Sequence, residues 1–137
     1  MSRSIWLHVF YTIAVSIILN LVVFFIGQAA GVSFATEQGI VEPIFVIFAS
    51  AAGAVIGCVG YWLLGLIFGD SQRIWFIWLA TIIGVISMWG PWTMSSDLAT
   101  MGFLGLMHVV SVLVMTWYLG VWTPHFVAAD EVALSSS

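Results

Sequence analysis

Four long apolar runs, separated by short polar breaks, dominate the chain, over residues 5–27, 43–68, 74–92 and 98–122. Each approaches or exceeds the roughly 20 residues that a helix needs to cross the hydrocarbon core of a bilayer. The breaks carry helix punctuation. Glu42–Pro43 opens the second run, with proline at a helical position where its missing N–H is not needed and an acid at the positive helix end. Gly69, Asp70, Ser71, Gln72 and Arg73 stop one helix and cap the next, so the second and third runs are predicted to form an antiparallel hairpin. Pro91 ends or kinks the third run, Ser95, Ser96 and Asp97 cap the fourth, and Thr123–Pro124 stops it. The mixed stretch Gln28 to Glu42 is the longest connection, with room for a short interfacial turn. The pattern predicts an all-α polytopic membrane protein, a bundle of four transmembrane helices forming one domain over 1–127. A flexible tail of small and polar residues follows at 128–137.

The basic head and first run also fit a signal peptide, with Gln28-Ala29-Ala30-Gly31 as a cleavage region. The run exceeds the usual signal core of about 7–15 residues and is read as a retained helix. Within the second run, Ala49, Gly53, Gly57 and Gly60 fall in one narrow arc at about 100° per residue. Hydrocarbon gives no hydrophobic drive for helix association, so small residues that admit close backbone contact mark an interface. This arc is the expected packing seam against another helix.

Composition sharpens the picture. Of 137 residues 63% are hydrophobic and 6% charged, against about 25% charged in an ordinary soluble domain. The formal net charge of −4 rests on eight charged side chains and says nothing of a cationic partner. Arg3 and Arg73 are the only basic residues, which excludes nucleic-acid binding through phosphate neutralisation. The single Cys58 excludes an intrachain disulfide and is read as a packing residue. An even number of crossings separates the two arginines, so the positive-inside rule puts both on the cytoplasmic face of the inner (plasma) membrane, together with both termini. Trp6, Trp62, Trp75, Trp78, Trp117 and Trp122 then fall near the inner boundary, and Trp89 and Trp92 near the outer one, as interfacial belts.

Polar residues inside the runs are the candidates for chemistry, because lipid penalises them unless they meet partners or water. His8, Thr12, Ser16 and Asn20 recur every fourth residue on the first helix and are expected to face the bundle. Helical rise places Asn20, Ser50 and Ser87 at similar depth, with His108 reaching them from the middle of the fourth run. These four form the candidate intramembrane polar cluster. His108 is expected to be buried and hydrogen-bonded to Asn20 or Ser87; were it instead an axial ligand to haem or a pigment, Gly105 one turn away would give a flat ring room to approach. No catalytic set is assigned. No His, Cys, Asp or Glu pair has ligand spacing within a run, so no metal is expected; no serine has a nucleophile elbow; and the glycines lack the lysine of a phosphate loop.

Asn20 in the first run, Ser87 with Pro91 at the end of the third, and Met107–His108 in the fourth make the chain resemble a group of small bacterial four-span integral membrane proteins classed as a domain of unknown function. The resemblance implies a four-helix membrane protein and no activity. Small multidrug transporters are similar in size but need a glutamate in the first helix, where Ser16 and Asn20 stand here. Quinone-linked disulfide oxidases need cysteine pairs, and fluoride channels a glycine-rich motif with arginine; both are absent. The expected function is a non-catalytic accessory or interaction subunit, with the lipid bilayer and a membrane protein or second copy as partners and no cofactor. A bundle this small would have little interior to spare. The alternatives are a small-solute or proton-linked carrier, or a haem- or pigment-binding protein, centred on His108.

Overall fold

The computed structural model describes residues 3–122; the expected tail at 128–137 lies outside them. The elements are almost all helical: α1 Arg3–Ala29, α2 Pro43–Phe68, α3 Gln72–Ser87, the short α4 Trp89–Met94, and α5 Leu98–Met115. Long apolar sequence favours helix because a helix satisfies every backbone polar group within its own segment.

α1 ends in a Schellman turn. Gly31 has φ 85°, its N–H donates to the Gln28 carbonyl at 3.0 Å, and the Val32 N–H donates to that of Gly27 at 3.0 Å. The connection that follows holds more than a turn. Ala35–Thr36 (β1) pairs antiparallel with Gly39–Ile40 (β2), Ala35 opposite Ile40. The loop is anchored by Phe34, fully buried at φ 51°, whose ring lies 4.5 Å from Phe24 and 6.1 Å from Phe103. Gly27 is required beneath it, since a Cβ there would stand 2.6 Å from the Phe34 ring. The Glu37 N–H donates to the Met94 carbonyl at 2.9 Å and the Ser95 hydroxyl to that of Ala35 at 2.8 Å, so the hairpin is tied to the end of α4.

α2 begins with Pro43 at its first turn and ends at Gly69, whose φ of 51° starts a 3-10 turn over Gly69–Ser71. The chain then folds back. Tyr61 and Phe76 meet edge to face at 5.1 Å, and Phe68 stacks on Trp75 at 4.8 Å. Gln72, fully buried, donates from Nε2 to the Tyr61 carbonyl at 2.6 Å, over Gly65, where a Cβ would stand 2.9 Å from its Oε1.

The helix expected over 74–92 is interrupted. α3 stops at Ser87 and α4 restarts at Trp89, because Pro91 has no N–H to give the Ser87 carbonyl and its ring clashes there. Asp97 caps α5, accepting from the N–H groups of Ala99 at 3.4 Å and Thr100 at 2.9 Å. From Thr116 to Trp122 the last helix widens to π winding. Its final turn is held by Arg73, whose Nε donates to the Gly120 carbonyl at 2.7 Å and whose Nη2 donates to that of Val121. A cation at a helix C-terminus also suits the negative end of the dipole.

α1 packs against α2 and α5, and α3 against α5 and the π-wound segment. Two small apolar clusters result, around Phe24, Phe34, Val46 and Met107, and around Tyr61, Phe76 and Leu119. Most large apolar side chains face outward, among them Trp89, Ile56 and Leu98. Three helical stretches are long and apolar enough to cross a membrane, Trp6–Ala29, Pro43–Met94 and Leu98–Val121, with the fold-back at Gly69 inside the second. This all-α architecture is compatible with a membrane protein.

Candidate functional site

α2 and α3 touch at their Gly69 ends; beyond Tyr61 and Phe76 a cleft of about 990 Å³ separates them. One wall is the α2 face carrying Phe45, Ala49, Gly53, Gly57, Gly60 and Leu64, and the other runs from Phe76 through Ala80, Ile83 and Ser87 to Pro91 and Met94. The wall from Phe45 to Leu64 is about 28 Å of helix at about 1.5 Å per residue. The back is formed by α5 through Leu104, Met107, His108, Ser111 and Met115, with Asn20 of α1 behind, and the β-hairpin closes one end. No Asp, Glu, Lys or Arg lines it among the described residues. A concave, mostly apolar space with a few placed polar groups is the usual form of a small-molecule site, although about 1,000 Å³ is at the large end of that range.

The polar stripe of α1 faces inward: Thr12, Ser16 and Asn20 are buried, and His8 is half-buried. Asn20 Nδ2 donates to Ser50 Oγ at 2.9 Å and to Ser111 Oγ at 2.8 Å, joining α1, α2 and α5 at one point. Each serine oxygen therefore accepts from the amide, and among the described residues neither serine proton has an acceptor. Asn20 Oδ1 is buried behind them without a partner.

The two other predicted cluster members line the same cleft without joining this network. Ser87 donates to the Gly84 carbonyl of its own helix at 2.7 Å. His108 is half-buried, and its Nδ1 lies 2.9 Å from the Leu104 carbonyl, one turn back on α5. The expected bond from His108 to Asn20 or Ser87 is thus replaced by a bond within α5. A carbonyl can only accept, so Nδ1 carries the proton and Nε2 is the nitrogen left for an outside donor. Nε2 has no partner among the described residues and is not closed off by neighbouring atoms. Gly105 does not supply ring space beside it: the residue is buried, and a Cβ there would meet Met88 at 3.6 Å.

The small-residue arc of α2 is placed differently from expectation. Ala49 is exposed, and a Cβ at Gly53 or Gly60 would meet nothing within 4 Å. Only Gly57 is tightly opposed, by Met115 of α5. The arc is a cleft wall over most of its length, because α3 swings away where direct helix contact was expected.

Sequence reasoning passed over Ser111 as Asn20's second partner, although its place on the α5 face with His108 was the available signal. It also read Gln72 only as a turn residue, and Arg73 as a turn residue and an orientation charge. Outside the cleft, the exposed Asp97 carboxyl is held below the usual carboxylate range by the Thr100 hydroxyl, which donates at 2.6 Å, and by the Thr100 N–H. The described residues contain no group of three or more His, Cys, Asp or Glu able to hold a metal.

No curated protein and no solved structure matches the chain. The model of a family of unknown function, DUF6069, matches residues 1–122, nearly the whole chain, and the chain belongs to that family.

Proposed function

We propose that this is a non-catalytic integral membrane protein of the inner membrane that crosses the bilayer four times, and that its cleft holds an apolar molecule drawn from the surrounding lipid. The fold-back at Gly69 supports two crossings by the middle apolar stretch. Arg3 and Arg73 then lie on one side, cytoplasmic by the positive-inside rule. The observation that carries the binding role is the cleft of about 990 Å³, mostly apolar, with a polar network of Asn20, Ser50 and Ser111 at its back. The accessory-subunit reading draws on the scarcity of soluble mass, embedded acids and catalytic groups as well as on a small interior, and the cleft bears on the last of these alone. Coupling to protons has little support, since no acid among the described residues lines the space.

The accessory or interaction-subunit reading keeps one specific observation in its favour: the open face at Ala49, Gly53 and Gly60 also suits a helix of a partner protein or of a second copy. One experiment separates the two. The full chain and Gly53→Trp, which fills the cleft, are purified from membranes in mild detergent and extracted with organic solvent. An apolar small molecule near one per chain, depleted in a Gly53→Trp protein that melts like the parent, is expected. Identical extracts would refute the ligand role, and a stoichiometric protein lost from Gly53→Trp would establish the subunit role instead.

A further inference from the structure

The polar point of the cleft has a chemistry that restricts what can sit there. His108 and Ser111 are three residues apart on α5, so their Cβ atoms are neighbours about 5–6 Å apart on one face, and both line the cleft. His108 offers an acceptor, Nε2, because the Leu104 carbonyl fixes the proton on Nδ1. Ser111 offers a donor, because Asn20 Nδ2 already occupies its oxygen and no described residue takes its proton. Asn20 thereby sets the polarity of the serine. An acceptor and a donor one helical turn apart on the same face match one group that both gives and takes a hydrogen bond. A hydroxyl does so. A ketone or ether can only take, and a hydrocarbon does neither.

The walls decide the rest. They are mostly apolar: Val41 and Phe45 stand near the hairpin, whose Thr36 and Gln38 close that end, and Leu64 and Phe76 stand toward the Gly69 end. No cationic or anionic side chain lines them among the described residues, so an ionised head group would sit without a counter-charge in low dielectric. Resting on the ligand reading given above, we infer that the cleft binds an uncharged long-chain alcohol, its hydroxyl donating to His108 Nε2 and accepting from the Ser111 hydroxyl. The chain of the alcohol lies along the α2–α3 walls.

The test uses the full-length protein in nanodiscs and tritiated 1-hexadecanol, with unlabelled 1-hexadecanol, hexadecyl methyl ether, hexadecane and hexadecanoate as competitors. At about a factor of several per hydrogen bond, the alcohol is expected to compete severalfold better than the ether, which loses one bond, and about tenfold or more better than the alkane, which loses both, with hexadecanoate competing worst. In His108→Phe and Ser111→Ala that advantage should shrink severalfold while competition by hexadecane is unchanged. Ser111→Ala removes a single oxygen, so it keeps the test decisive where His108→Phe fails to fold. Failure of every probe to bind would sink the ligand reading and this inference with it. Equal competition by alcohol, ether and alkane would leave the apolar cleft standing and overturn the hydroxyl assignment. Tighter binding of the ether or of hexadecanoate would overturn it too, as would an alcohol advantage that survives both substitutions.

Discussion

Gly84 on α3 faces Val112 on α5 closely enough to put a number on the packing. A Cβ at position 84 would stand 2.5 Å from Val112 Cγ2, where ordinary contact begins at 3.4 Å, so Gly84→Ala must find roughly 1 Å. Val112 yields poorly, because a β-branched side chain in a helix has one strongly preferred rotamer and leaving it costs about 0.5–1.5 kcal/mol. The remaining route is to push α3 away from α5. Overpacking of this kind destabilises by about 1–3 kcal/mol, and the gain of alanine over glycine within a helix returns about 1 kcal/mol. A net loss of up to about 2 kcal/mol is expected. Gly53→Ala is the internal control: its Cβ meets nothing within 4 Å, so only the helix gain of about 1 kcal/mol remains. Thermal unfolding of both variants in one detergent measures the contrast, and Gly84→Ala/Val112→Ala should recover most of the loss. A Gly84→Ala protein that melts at or above the parent, or a Gly53→Ala protein that is the less stable of the two, would refute this packing.

Four further outcomes rest on other contacts and on the topology. Asn20→Leu removes two interhelical hydrogen bonds, each worth about 0.6 kcal/mol on average in a bundle and at most about 1.7, and should lower stability by about 1–2 kcal/mol. His108→Leu gives up only a bond within its own helix and should melt within about 0.5 kcal/mol of the parent, since Leu104 keeps its place in the helical ladder. Asp97, with its carboxyl held low by Thr100, contributes capping stability that is fully present above its unfolded value, near pH 4, and is lost as pH falls through its lower folded value. The melting difference between the parent and Asp97→Asn should therefore be flat above about pH 5 and shrink only on further acidification. For topology, cysteines at Glu37 and Asp70, both exposed, are introduced with Cys58→Ala. The first should react with an impermeant maleimide from outside the cell and the second only after lysis. Gln72 is unsuitable for such labelling because it is fully buried.

The helices were legible because their punctuation is local. Pro43 and Gly69 bound α2, and Asp97 opens α5, through backbone geometry that the residues themselves impose. The juxtaposition of Asn20 with Ser50 was legible from depth alone, since helical rise puts them at one level. Depth does not resolve direction, however, which is why His108 was paired with Asn20 while Ser111, one turn further along, holds that place. Nor does spacing reveal when a side chain turns back on its own helix, as His108 and Ser87 do. The cleft was hidden for a related reason. Ala49, Gly53 and Gly60 present a smooth face whether a neighbouring helix fills it or swings away, and the outcome depends on α3, which stops at Ser87 because of Pro91. Gln72 looked like a turn residue because glutamine seldom lies fully buried, and only the bare surface of Gly65 allows it here.

What occupies the α2–α3 cleft in the membrane is read most directly by photo-crosslinking from Ala49, an exposed position on the cleft wall. Benzoylphenylalanine replaces Ala49 in the full chain, cells are irradiated, and the purified protein is weighed by mass spectrometry. An adduct of lipid size, displaced by added 1-hexadecanol and reduced by Gly53→Trp in the same chain, is the predicted result. A protein-sized adduct, or a small one that neither treatment changes, would contradict the ligand-binding cleft.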